Sequence, residues 1–200
     1  MALHTQFGDI DIYVFDQLLR GRIAPGMRVF DAGCGGGRNL VYLLRHGYDV
    51  CANDADPAAI AHVKALAERL APGRGHDFRV EPIEQTSFPD ASADVVLLSA
   101  VLHFARDAAH FEAMLRAAWR VLRPGGIFFA RLASTLGIED QVRPIGPGRF
   151  HLPDGSDRFL VDAAAIGSWT HRLGGELIDP IKTTVVHEQR SMTTWVARRL

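Results

Sequence analysis

Apolar positions along this chain alternate between two spacings. Residues 28–31 form a short apolar run that reads as a strand, and residues 38–46 then recur at helical spacing until Gly47 stops them. Residues 48–53 make a second strand-like run. Asp56 then caps a helix with Pro57 at its first position, and Ile60, Val63, Leu66, Ala67 and Leu70 form its buried stripe until Pro72-Gly73 ends it. Residues 78–81 can be a third strand. Residues 94–99 are apolar without alternation, as expected of a central parallel strand buried on both faces. A helical stripe comes next (Phe111, Met114, Leu115, Ala118, Trp119, Leu122). Arg123-Pro-Gly-Gly126 breaks it before a fifth strand over 127–132. Upstream, Ile12, Phe15, Leu18 and Leu19 predict a helix over 9–21, closed by Gly21.

Strands alternating with helices imply a parallel sheet with right-handed crossovers. Beyond residue 133 the pattern changes. Residues 134–160 are irregular, but 149–152 and 158–161 flank Pro153-Asp-Gly-Ser156, a hairpin signal. Residues 163–173 can be a helix. Two β-rich runs, 181–187 and 192–197, are joined so closely that only a hairpin fits, so the sheet should finish on an antiparallel strand. The expected fold is α/β: a doubly wound, Rossmann-like, seven-stranded and mostly parallel sheet with helices on both faces. Residues 1–200 are expected to form one domain. It divides into an N-terminal helix cap (1–25), a cofactor-binding core (26–132), a lid or substrate segment (133–161), and a C-terminal helix with a β-hairpin (162–200).

Two hundred residues suffice for one domain that buries about 70% of its unfolded surface. The formal net charge of −1 lacks the basic excess of a protein that grips nucleic acid through its phosphates. No run approaches the roughly 20 apolar residues of a membrane span, and the N-terminus lacks the charged-then-apolar order of a signal peptide. With two cysteines, Cys34 and Cys51, a disulfide framework is not expected and a reducing cytoplasm is the simplest setting. The nine histidines show no tight ligand spacing, so no metal is expected.

The chemistry concentrates in Val29-Phe-Asp-Ala-Gly-Cys-Gly-Gly-Gly-Arg-Asn-Leu40. A strand ends in a carboxylate, Asp31, and a turn with Gly33, Gly35 and Gly37 leads into a helix. Such a turn lets backbone approach a nucleoside and presents helix N–H groups to an anion. The dinucleotide fingerprint needs its third glycine at position 38, which is Arg38. A cofactor with an amino-acid end would instead use Asp31 for its ammonium group and Arg38 for its carboxylate. Asp54, about twenty residues further on, can accept both hydroxyl protons of a ribose in either cofactor class.

The glycine loop resembles motif I of the class I S-adenosylmethionine (SAM) methyltransferases. Asp54, the 80–96 stretch, and the pair Ser99-Ala-Val-Leu-His-Phe104 with Leu122-Arg-Pro-Gly-Gly126 extend the resemblance over residues 29–132. Gly-Arg-Asn-Leu40 and His-Gly-Tyr-Asp-Val50 are similar to the small bacterial tellurite- and thiopurine-type enzymes. The resemblance implies SAM as cofactor and S-adenosylhomocysteine (SAH) as product, held by Asp31, Gly33, Gly35, Gly37, Arg38, Asp54, Ala55, Ile83, Glu84 and Ser99. Pro82 stands where the family usually has its acidic adenine contact, leaving backbone around Ile83 and Glu84 for that task; Glu84 as a solvated residue is an equal reading.

The expected function is methyl transfer to a small-molecule acceptor, with no nucleic acid or membrane partner. A SAM-binding protein without transferase activity and an NAD-dependent oxidoreductase are the alternatives. His103 is the catalytic candidate, because imidazole is the natural acid–base group near neutral pH, though it can equally cap a helix or pack on the cofactor. Tyr13, Phe104, Arg131, Arg149 and His151 are the candidate substrate-pocket residues. The arginines suit an anionic acceptor or are ordinary surface cations.

Overall fold

The computed structural model describes residues 3–200. Two short helices open it, α1 (Leu3–Phe7) and α2 (Ile12–Leu19), so the predicted 9–21 helix is shorter and an unanticipated turn of helix precedes it. The core then alternates as β1 (Arg28–Ala32), α3 (Leu40–Arg45), β2 (Asp49–Asp54), α4 (Pro57–Leu70), β3 (Asp77–Val80), β4 (Ala93–Ser99), α5 (Ala108–Val121) and β5 (Leu122–Ala133). Aspartates start α2, α4 and α5: Asp11, Asp56 and Asp107 each accept a backbone N–H of the first turn. The rest comprises β6 (Arg143–Gly146), β7 (Arg149–His151), β8 (Asp157–Phe159), α6 (Ala163–Arg172), β9 (Gly175–Leu177), β10 (Lys182–Val186) and β11 (Arg190–Arg199).

The main sheet runs in the order β10-β11-β5-β4-β1-β2-β3, with β9 also pairing β11. Strands β1 to β5 are mutually parallel, while β11 is antiparallel to β5, β9 and β10. The expected doubly wound sheet with an antiparallel last strand is therefore present. The addition is β9, three residues too short to stand out in the sequence. Another difference is at 122–126, where the chain stays in β5 but the pairing jumps from Ala93↔Leu122 to Val95↔Ile127, so the expected break is an irregularity inside the strand. The 149–152 and 158–161 runs do pair, as β7 and β8, and β6 joins them in a separate three-stranded antiparallel sheet.

The period-two geometry of β4 divides the core. Val96 and Leu98 face a cluster with Phe111, Leu115, Trp119, Phe128 and Trp195, beneath α5 and α6. Val95 and Leu97 face the opposite cluster with Leu40, Leu43, Ile60, Val63 and Phe129, beneath α2, α3 and α4. Trp195 is fully buried; its indole N–H donates to the Thr170 hydroxyl at 2.9 Å, which in turn donates to the Ile166 carbonyl at 2.8 Å. A Thr170→Val substitution keeps the shape and removes that acceptor. It should lower stability by about 1–3 kcal/mol, the cost of an orphaned buried donor, read as a reduced urea midpoint; an unchanged midpoint would show that the indole finds another partner.

Candidate active site

The C-terminal ends of β1, β2 and β4 open on a cavity of about 580 Å³. Asp31, Gly33, Gly35, Arg38, Asp54, Ala55, Ile83, Glu84, Ser99 and Phe104 all line it, so the structure brings most of the expected cofactor residues to one place. Gly33 has φ +73°, and a Cβ there would stand 2.8 Å from a Val101 methyl carbon, so both the turn and its neighbour require glycine. Gly37 does not line the cavity. An added Cβ would press on Val63 at 3.0 Å, which makes Gly37 a packing residue between the loop and α4.

Asp54 is already part of the turn. Its Oδ2 accepts the Gly35 N–H at 2.8 Å and its Oδ1 accepts the Asp56 N–H at 2.9 Å, which fixes the carboxylate at the mouth of the glycine loop with lone pairs to spare. Asp31 is 2% exposed, and its Oδ2 has no hydrogen-bond partner. Burial pushes the Asp31 carboxyl up to about 7; Arg38 opposes this and Asp54 adds to it. A cofactor carrying an ammonium group supplies what that oxygen lacks. The cavity therefore fits SAM: an orphaned carboxylate at one side, a ribose-type acceptor at Asp54, and an apolar slot between Ile83, Val101 and Met114.

Several lining residues were not anticipated: Cys34, Asn39, Ala100, Val101, Arg106, His110 and Met114. His110 Nε2 lies 3.1 Å from a Glu84 carboxylate oxygen, and both residues belong to the cavity wall. Burial pushes the Cys34 thiol well above its ordinary range, with Asp31 and Asp54 adding to the rise, which makes it a poor nucleophile.

A second cavity of about 360 Å³ adjoins the first, and the two share Arg38, Ala100 and Phe104. His103, Arg131, Ala133, Leu152, Asp154, Ser156, Arg158, Val186, Arg190 and Met192 complete its lining. His103 is buried, and its Nδ1 accepts the Ala133 N–H at 3.2 Å, so the ring hydrogen sits on Nε2. Burial pushes its pKa down to about 4, and the charge of Arg158 acts in the same direction. At neutral pH His103 is a hydrogen-bond donor whose lone pair is engaged, which does not suit the base role that sequence reasoning allowed it.

Three other candidates stand elsewhere. Arg149 donates to the Ala105 carbonyl at 3.1 Å, tying β7 to the loop after Phe104. His151 pairs with Asp157 across the β7–β8 hairpin at 2.7 Å. Tyr13 bonds Thr184 at 2.9 Å, and the Arg131 guanidinium lies over its ring, 5.4 Å from the centroid. None of the three lines either cavity.

Sequence reasoning missed Asp11. Its side chain is fully buried, and its Oδ2 accepts from Arg131 at 3.0 Å, Ser99 at 3.1 Å and Arg38 at 3.4 Å. Its own N–H donates to Asn39 Oδ1 at 3.0 Å. The sequence signal was an Asp directly before an apolar helix, which announces a cap and says nothing of three further partners.

The family profile described as "Methyltransferase domain" matches residues 30–130. The ubiquinone biosynthesis O-methyltransferase of Methylocella silvestris is 38% identical over 117 residues, 56% of this chain and 44% of that protein. The chain thus spans less than half the length of that relative. Among solved structures, the 1,6-didemethyltoxoflavin N1-methyltransferase of Burkholderia thailandensis, solved with its acceptor and SAH, superposes with TM-score 0.72 at 19% identity, covering 98% of this chain and 80% of that one. TehB of Haemophilus influenzae gives TM-score 0.70 at 20% identity, covering 96% and 63%. The chain belongs to the class I SAM-dependent methyltransferases.

Four outcomes are expected for the cofactor cavity. Affinity for SAM should fall as pH drops through about 7, where Asp31 takes up a proton and loses its attraction for the ammonium group. Asp31→Asn should weaken SAM by tenfold or more and flatten that dependence in calorimetric titrations. The raised folded-state pKa means that ionised Asp31 costs stability at and above pH 7, so the same variant should melt higher when empty. A pH-independent SAM affinity in the parent protein would contradict both. Asp54→Ala should likewise weaken SAM strongly, and unchanged affinity would exclude Asp54 as the ribose contact.

Proposed function

We propose that this chain transfers a methyl group from SAM to a small-molecule acceptor, by in-line displacement with positioning as the main catalytic device. The observation that carries this reading is the pair of joined cavities: a cofactor-shaped one at the ends of β1, β2 and β4, opening past Arg38, Ala100 and Phe104 into one of acceptor size. When bound, SAM supplies a methyl on a positively charged sulfur, an already activated leaving group. The protein's share is to hold the acceptor at near-attack distance, which contributes up to about 7–11 kcal/mol.

The residues divide accordingly. Asp31 receives the ammonium end of the cofactor, Arg38 its carboxylate, and Asp54 the ribose, with Ile83 and its neighbours against the adenine. Residues 133–161 form the acceptor side, contributing Leu152, Asp154, Ser156 and Arg158 to the second cavity. Asp11 holds Arg38, Ser99 and Arg131 in place from the N-terminal side. His103 offers its Nε2–H to the bound acceptor. The whole is read as one domain working in the cytoplasm, and the near-neutral charge supports a small acceptor over nucleic acid. Among the described residues no helix is long and apolar enough to cross a membrane.

The test is parallel calorimetry with SAM, SAH and NAD, followed by mass spectrometry with methyl-labelled SAM and a broad acceptor set. Micromolar binding of both adenosyl ligands, none of NAD, and label on an acceptor are the expected results. Binding without transfer to any acceptor would favour a SAM-binding protein that does no chemistry, and binding of NAD alone would overturn the cofactor reading.

A further inference from the structure

The second cavity carries more information than its position. Four arginines line it, Arg38, Arg131, Arg158 and Arg190, against one lining carboxylate, Asp154. Asp11 lies behind the wall and offsets part of the charge of Arg38 and Arg131. Arg158 gives one N–H to the Asp157 carbonyl at 2.8 Å and rests over Phe104, 4.9 Å from the ring centroid. Among the described residues neither Arg158 nor Arg190 has an ion-pair partner. The Nε of Arg131 is buried with no hydrogen-bond partner. With Arg38 assigned to the cofactor carboxylate, Arg131, Arg158 and Arg190 against Asp11 and Asp154 leave an excess of one positive charge around the cavity.

No strong base lines this cavity among the described residues. The Nδ1 lone pair of His103 is held by the Ala133 N–H, so the ring can only donate. Asp154 Oδ1 accepts both the backbone N–H and the hydroxyl of Ser156, at 3.0 and 2.6 Å. Burial pushes the Asp154 carboxyl up, but the Ser156 hydrogen bonds and the charges of Arg158 and Arg190 more than reverse this, leaving it below its ordinary range and a weak base. Asp11 is sealed from solvent between its two arginines. A phenol or an ammonium group would have to shed a proton to react, and an ammonium group would also be repelled. A carboxylic acid enters already ionised.

We infer that the second cavity binds the acceptor as a small carboxylate, drawn in by Arg158 and Arg190 with its apolar body against Leu152, Val186 and Met192, and that the carboxylate oxygen is the atom methylated. This deepens the transferase reading and rests on it. In the step, an oxygen electron pair forms the O–CH3 bond as the S–CH3 pair returns to sulfur. The carboxylate and sulfonium charges cancel, the products are a neutral methyl ester and a neutral thioether, and no proton is released. That balance matches a cavity rich in donors whose one lining carboxylate is a weak base.

The experiment uses the full chain saturated with SAH, titrated calorimetrically with benzoate, phenylacetate and hexanoate, each beside its primary amide. At least one acid should bind tenfold or more tightly than its amide. That preference should fall to threefold or less in Arg158→Gln/Arg190→Gln, with SAH affinity unchanged as the control for folding. With methyl-labelled SAM, the label should appear as the methyl ester of an acid that binds, and not on phenol, benzylamine or thiophenol offered alongside. SAH binding with no acid preferred over its amide, or label on the phenol, amine or thiol instead of an acid, would overturn the inference and leave the transferase reading standing. Failure to bind SAH at all would overturn both.

Discussion

A carboxylate with no side-chain surface in contact with water sits where the ends of β4 and β5 and the start of α3 converge. Removing Asp11 from water is expensive unless its charge is paired and its lone pairs are used. Arg131, Arg38, Ser99 and the first-turn N–H of α2 meet that requirement together. Because these partners come from α2, β4, β5 and the turn before α3, the contact fixes several things at once. It sets the seating of α2 against the sheet, the direction of two arginines, and the partition between the cavities that Arg38 borders. A second buried carboxylate, Asp179, reinforces the same seating. Its pairs with Arg20 and Arg22 and a 3.1 Å bond from Gln17 clasp the end of α2 to the segment between β9 and β10.

The two halves of the site use electrostatics in opposite ways. Around the glycine loop a carboxylate is buried without its partner, a strain that a cationic ligand relieves. In the second cavity cations outnumber anions, and the one exposed acid, Asp154, is held ionised by its neighbours. A positively charged cofactor and a negatively charged acceptor would thus each meet a field of the opposite sign. Arg38 and the left-handed Ala100 (φ +64°) mark the border between them.

The sequence disclosed the cofactor half well because its requirements are local. A turn with positive φ at residues 33, 35 and 37 selects glycine within five positions, and a carboxylate at the end of a strand is visible one residue at a time. The central strand was legible because burial on both faces removes polar alternation. The second cavity was legible only in part: His103, Phe104 and Arg131 were singled out and do line it, while the rest escaped notice for a physical reason. Arg149 and Arg158 are indistinguishable as letters, yet β7 and β8 run antiparallel, and the pairing sends Arg149 to the Ala105 carbonyl and Arg158 to the cavity. Asp11 reaches partners 27, 88 and 120 positions away, a relation that no local window contains. β6 carries Pro144 in a short exposed strand, and β9 is three residues long, so neither has enough pattern to announce itself.

Every residue lining the first cavity lies between positions 31 and 114, whereas the second draws on Arg131, Leu152 to Arg158 and Val186 to Met192. The first cavity is thus written in one stretch of chain, and most of the second in the C-terminal third. Evolution could therefore redraft the later segments, and with them most of the second cavity, while the side chains that line the first stay as they were. In this architecture the two cavities are largely separable along the length of the gene.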